Sequence, residues 1–179
     1  MAVGVLVSVV VLTGTASAEE AKYTSPQRKA LILCCFAKYI EWPKSAFSHE
    51  DAPFIIGVLG KDPFGKDIEV IKGKTIKGRI LVVTYFSTAE EIAECHLLFI
   101  SSSEMPNLPR ILKRLQSASI LTAAETQDFV ERDGIINLVP ERKPNGAETI
   151  GFEINLAAAG KANLKLDTQL LKLAKRIKN

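Results

Sequence analysis

The stretch Phe54-Ile55-Ile56-Gly57-Val58-Leu59, closed off by Pro53 on one side and Gly60-Lys61-Asp62-Pro63 on the other, decides the fold class. A short, nearly unbroken apolar run between turn formers suits a strand covered on both faces rather than one with a wet face. Such strands belong to parallel sheets with helices above and below.

Arg79 to Phe86 and His96 to Ile100 read as further strands, and Ser119 to Thr122 as a short one. Between them the spacing predicts a short helix over Gly65 to Ile71. Another helix opens at Ser87-Thr88-Ala89-Glu90-Glu91, where Ser87 stands three residues before Glu90 in a capping-box arrangement. Leu108 to Leu115 is helical, with Ile111, Leu112 and Leu115 on one face and Arg110, Lys113 and Arg114 toward solvent. Ser101-Ser102-Ser103 forms a cap or loop.

Upstream, Ser25-Pro26 reads as an N-cap with proline at the first helical position. Ala30, Leu31, Leu33, Cys34, Ala37, Lys38 and Tyr39 keep a mostly apolar helical face until Trp42-Pro43 ends it. Downstream, Thr126 to Glu131 is predicted as a short helix. Ile135 to Val139 and Ala147 to Ile154 then form a terminal antiparallel hairpin with Asn145-Gly146 at the turn. Asn155 to Lys161 and Asp167 to Ile177 close the chain as helices. Leu170, Leu171, Leu173, Ala174 and Ile177 form the inward stripe of the last one. The alternation predicts a three-layer single-domain α/β fold with a mainly parallel sheet and helices on both faces.

The first eighteen residues read as a cleaved secretory signal. Ala2 to Leu12 are apolar or small, Thr13-Gly14-Thr15 breaks the run, and Ala16-Ser17-Ala18 offers a small-x-small cleavage site. Residues 19–179 then form one exported domain. Hydrophobic content of 47% and charged content of 24% are ordinary for a globular domain. A net charge of +3 is too small to argue for nucleic acid. The three cysteines leave at least one thiol unpaired in an oxidising compartment. They are read either as small buried hydrophobes or as a Cys95 bridge to Cys34 or Cys35, which requires the first helix to pack beside Cys95.

Gly60-Lys61-Asp62-Pro63-Phe64-Gly65-Lys66-Asp67 nearly spells a phosphate-binding loop. Asp67 occupies the position where a hydroxyl should hold magnesium, and Pro63 removes a backbone N–H from the cradle. A Pro/Gly turn is the better reading. Gly73-Lys74-Thr75 fails as well, because Ile68 holds the first glycine position. His96 opens a strand expected to be buried, and His49 lies in the polar loop Ser48-His49-Glu50-Asp51. No nucleophile elbow or zinc spacing accompanies them, so neither catalytic residues nor a metal or cofactor site is expected. Trp42, the one tryptophan, is read either as a core-lid aromatic or as a contact residue.

Several segments together resemble the YfiR-like family of periplasmic regulators, which includes the HmsC-type proteins. They are Lys29-Ala30-Leu31-Ile32 through Phe36-Ala37-Lys38-Tyr39-Ile40-Glu41-Trp42-Pro43, Phe54 through Gly65, and Gly73-Lys74-Thr75-Ile76-Lys77-Gly78-Arg79. Cys95-His96-Leu97-Leu98-Phe99-Ile100-Ser101, Gly134-Ile135-Ile136-Asn137-Leu138 and Phe152-Glu153-Ile154-Asn155-Leu156 follow in family order. The resemblance implies a periplasmic, non-enzymatic repressor. It would hold a membrane diguanylate cyclase, or another membrane sensor, inactive through its periplasmic region and so control cyclic di-GMP and biofilm formation. It also implies an association with homodimers and with redox-sensitive disulfides. Cys95 matches a family cysteine, whereas the late cysteine pair is absent and Cys34-Cys35 is atypically placed. By position, Trp42 and Glu153 are the foremost contact candidates, with Tyr39, Glu41 and Phe152 beside them. Glu153 alternates with Phe152 and Ile154, so it is presented outward or held in a local salt bridge. A second reading is a periplasmic small-molecule-binding sensor, with its cleft at the carboxyl ends of the parallel strands near Gly60 to Gly65 and Ser101 to Ser103.

Overall fold

The computed structural model describes residues 23–116 and 118–179, so the signal sequence expected over residues 1–18 lies outside the described residues. Its elements run α1 (Ser25–Tyr39), β1 (Ile40–Glu41), β2 (Phe54–Leu59), β3 (Thr75–Ile76), β4 (Arg79–Phe86), β5 (Leu97–Ile100) and α2 (Leu108–Leu115). They continue with β6 (Leu121–Ala124), β7 (Ile136–Arg142), β8 (Glu148–Asn155), α3 (Leu156–Lys161), β9 (Lys165–Leu166), α4 (Thr168–Leu173) and β10 (Arg176–Lys178). Eight strands form one sheet in the order β10-β8-β7-β6-β5-β2-β4-β3, and β1 pairs with β9 in a separate two-stranded sheet. Within the larger sheet only the β7/β8 and β3/β4 pairings are antiparallel.

The strand that decided the fold class sits between β4 and β5, with Ile56 in register with Val83 and Leu97. Its side chains divide between two cores, as a period of two requires. Phe54, Ile56 and Val58 join Leu33, Phe36 and Ala37 of α1, whereas Leu59 packs with Leu108, Ile111 and Leu115 of α2. The α-helices therefore cover opposite faces of a largely buried sheet, as expected. Gly57 faces the α2 side, where a Cβ would stand 2.7 Å from Phe86 and 2.9 Å from Cys95 and Leu98. At the hairpin turn Gly146 takes φ +83, a conformation that costs glycine little.

Helix α1 begins one residue earlier than its proline suggested, because Thr24 is the N-cap. Its hydroxyl accepts from the Gln27 N–H at 3.3 Å, and the Gln27 side chain accepts from the Thr24 N–H at 3.1 Å. Asp67 completes the arrangement by accepting from Thr24 Oγ1 at 3.0 Å and Gln27 Nε2 at 3.1 Å. A carboxylate there also offsets the positive end of the helix. The residue that spoils the phosphate-loop motif thus anchors the first helix. Asp62 accepts from the N–H groups of Phe64 and Gly65 at 2.8 and 3.1 Å, occupying amides that a phosphate would need.

Five element predictions need correction. Gly65–Val70 and Ala89–Glu91 are 3₁₀ turns rather than α-helices, and Glu91, not Glu90, accepts from the Ser87 N–H at 2.8 Å. Strand β6 lies two residues later than the Ser119 to Thr122 run. Thr126 to Glu131 is a turn, not a helix: Asp128 takes φ +59, which breaks a right-handed helix. Strand side chains hold this loop instead. Asn137 Oδ1 accepts from the Thr126 N–H at 3.0 Å, and Asn155 Nδ2 donates to the Val130 carbonyl at 2.8 Å. Finally, α4 stops at Leu173. Ala174 is extended at ψ 137, and Arg176–Lys178 pair in parallel with Glu153 to Asn155. Of the expected inward stripe only Leu170 is fully buried, while Leu173 and Ile177 are 51% and 39% exposed.

Candidate functional site

Trp42 leaves α1 by way of β1 and lies across the amino ends of β2 and β5. Its ring meets Phe54 edge-on at 5.0 Å, and its Nε1 donates to the His96 carbonyl at 3.0 Å. The His96 ring stacks on Phe47 at 4.3 Å and lies against Phe54 at 5.1 Å. Arg79 places its guanidinium 3.9 Å above Phe47 and donates to the Ala52 carbonyl at 2.6 Å. A cation over an aromatic face is attractive, and here it closes the outer side of the cluster.

His96 is fully buried and both ring nitrogens are engaged. Nδ1 accepts from the Ile55 N–H at 3.0 Å, and Nε2 lies 3.1 Å from the Ala46 carbonyl, to which it must donate. These partners fix the neutral tautomer, and burial holds the imidazole pKa below its ordinary value. The ring has no nitrogen free to move a proton for a substrate. It is the core histidine that its strand position suggested.

Tyr39 is half-buried and its carbonyl accepts from the Asp167 N–H at 2.8 Å. Glu41 is exposed and pairs with Lys165 across the β1/β9 ladder. Tyr39, Glu41 and Trp42 therefore form one continuous segment. Phe152 is buried under α1, edge-on to Phe36 at 5.0 Å. Glu153 points to the opposite face of β8, so the structure does not bring it together with Phe152.

Glu153 lies in a charged latch rather than standing free. Its carboxylate accepts from Arg176 Nε at 3.0 Å, and Arg176 also bonds Glu131. Lys178 joins through Glu131 at 3.2 Å. Hydrogen bonds from Arg176, then Lys178, hold the Glu131 carboxyl below the usual range. Hydrogen bonds to Glu153 and Glu131 push the Arg176 pKa further up. The local salt bridge considered for Glu153 is the arrangement present.

All three cysteines are free thiols. Cys34 belongs to the cluster on the α1 side and Cys95 to the cluster on the α2 side, so the sheet separates them. Of the two readings, small buried hydrophobes and a Cys95 bridge to Cys34 or Cys35, this placement fits the first for Cys34 and Cys95. Burial pushes the Cys34 and Cys95 thiols up to about 12, and Cys35 is raised by the same cause.

Gly60 and Ser101 do lie at the carboxyl ends of β2 and β5, and the loops that follow them are in direct contact. Ser103 Oγ accepts from the Lys61 N–H at 3.0 Å, and a Cβ on Gly60 would stand 2.5 Å from that oxygen and 2.7 Å from Glu104. The two loops therefore pack against each other at Gly60, Ser103 and Glu104.

Sequence reasoning missed Phe47, Phe54 and Arg79 as the company of Trp42. The only local sign was the aromatic content around Pro43 and Pro53. No curated protein matches the chain. A family profile described as YfiR/HmsC-like matches residues 26–175, from the first turn of α1 to the residue before β10. The chain belongs to the YfiR/HmsC-like family.

Proposed function

We propose that this protein is an exported, non-enzymatic regulator that restrains a membrane-bound diguanylate cyclase. It binds the periplasmic region of the cyclase, and its release raises cyclic di-GMP and promotes biofilm formation. The observation that carries this reading is the family match over residues 26–175, since the family is regulatory rather than catalytic. The fully engaged ring of His96 agrees with an output by contact rather than by chemistry.

The contact surface of this reading is the segment Tyr39, Glu41 and Trp42. Glu41 is exposed, and the Trp42 ring is half-buried against a rigid aromatic base. Rigid aromatics backed by a packed core lose little entropy on binding. Phe152 and Glu153 serve as supports, one under α1 and the other in the Arg176 latch. The mechanism is a population shift: the regulator binds the inactive arrangement more tightly than the active one. Near-complete switching requires a differential affinity of about 5.5 kcal/mol.

The test is deletion of the protein in a strain carrying the cognate cyclase, followed by measurement of cellular cyclic di-GMP. A rise is expected, and Glu41→Arg should reproduce much of it at normal protein abundance. An unchanged level on deletion would overturn the regulator reading. A rise on deletion with a silent Glu41→Arg would move the contact surface elsewhere.

A further inference from the structure

We infer that a cleft between the C-terminal turns of α2 and α3 binds a small amphipathic anion, an acyl or aryl carboxylate. The cleft has a volume of about 430 Å³, within the range of small-ligand sites. It lies at the amino ends of β6 and β7, opposite the end where the loops after β2 and β5 meet. Here the two cores meet without closing. Leu115 and Ile120 come from the α2-side cluster, and Ile135 and Ala158 from the α1-side cluster. These four side chains are buried and give the cleft an apolar floor.

The rim has the opposite character. Lys113, Lys161 and Arg132 line it, against a single carboxylate from Asp133. Neither lysine forms an ion pair among the described residues, so both charges are free to meet a ligand. Lys113 and Lys161 stand in the last turns of their helices, where they also offset the carbonyl ends. Arg132 lies in the turn before β7 and adds a positive charge with no such duty. Its Nη2 donates to the Met105 carbonyl at 3.2 Å, which orients the guanidinium. An apolar floor below a cationic rim selects a ligand with an apolar body and one anionic end. A neutral apolar molecule leaves the rim unused, and a cationic one is repelled by it.

The inference stands apart from the regulator reading, because it is tested on the purified protein with no cyclase present. Decanoate below its micellar concentration is titrated against methyl-labelled protein and followed by NMR. The expected result is saturable shifts at Leu115, Ile120 and Ile135, with decanoate binding at least about tenfold more tightly than decyltrimethylammonium. The double reversal Lys113→Glu/Lys161→Glu, both exposed positions, should weaken decanoate by about tenfold or more and leave the thermal midpoint near that of the wild type. Leu112→Glu, at the half-buried edge of the cleft, should abolish the shifts. Shifts that do not saturate, equal binding of the cation, or indifference to the lysine reversal would each overturn the assignment.

Discussion

Lowering the pH from 7.5 to 5.5 should destabilise this fold through one residue. His96 is neutral because Ile55 donates to Nδ1 and Nε2 donates to Ala46, so an added proton would face an existing donor in a buried site. Its folded-state pKa lies below the ordinary 6.5. The unfolded chain takes up a proton as the pH falls through 6.5, and the folded chain does so only at lower pH. Stability is therefore full above 6.5 and declines below it, by at most about 1.4 kcal/mol per pH unit. Across this window the loss is bounded at about 1.4 kcal/mol. With a urea dependence of about 2 kcal/mol per molar, the unfolding midpoint should fall by up to about 0.7 M. The fluorescence of Trp42, the one tryptophan, reports directly, since its Nε1 bonds the His96 carbonyl. The Glu131 carboxyl is held below the usual range, so it stays charged throughout. In His96→Asn the side-chain oxygen can still accept from the Ile55 N–H, but the Ala46 bond and the stack on Phe47 are lost. That variant should be weaker at pH 7.5 by about 1–3 kcal/mol and show little change on acidification. A wild-type midpoint that does not move, or an equal drop in the variant, would refute the reasoning.

The Arg176 latch and the buried cysteines lead to two further outcomes. Removing the Arg176 guanidinium in Arg176→Ala should raise amide exchange across residues 176–178 by about tenfold or more while the global thermal midpoint barely moves, because the latch holds an edge strand and not the core. At pH 8 a thiol reagent should react slowly with Cys34 and Cys95 in the native protein and rapidly with all three cysteines in denaturant; prompt native labelling of Cys95 would contradict its burial beneath the α2-side core.

The layers of the fold were legible because their signals are local. The Phe54 to Leu59 run, the Leu108 to Leu115 stripe and the Asn145-Gly146 turn each declare themselves within a few residues. The errors fall where distant partners decide. Leu170 to Ile177 carries a helical period, yet residues 176–178 gain more by joining β8 and bonding Glu131 and Glu153. The 126–131 segment loses its helix to hydrogen bonds from Asn137 and Asn155, which no window of sequence contains. At the candidate site, Trp42 and Glu153 could be singled out by position. Their true neighbours, His96 and Arg176, lie more than twenty residues away in each case. The cationic cleft was invisible because its wall residues come from four separate elements.

Helix α1 has a consequence for how the chain reaches this state. Part of its apolar face is covered soon after it in sequence, by Phe54, Ile56, Val58 and Ile68, and part only from the far end of the chain: Phe36 meets Phe152, Ile40 of β1 pairs with Leu166, and the Tyr39 carbonyl accepts from Asp167. A helix of 15 residues is marginal in water on its own. The entropic toll of closing such long loops grows only slowly, by about 0.6 kcal/mol for each doubling. The delay is the larger effect, because parallel pairing across the β2, β5 and β6 crossovers is slow. A chain emerging amino end first presents α1 early and completes its cover last. During that interval Phe36 and Ile40 lack the partners that Phe152 and Leu166 later supply, which makes the end of this helix a foothold for a holding chaperone.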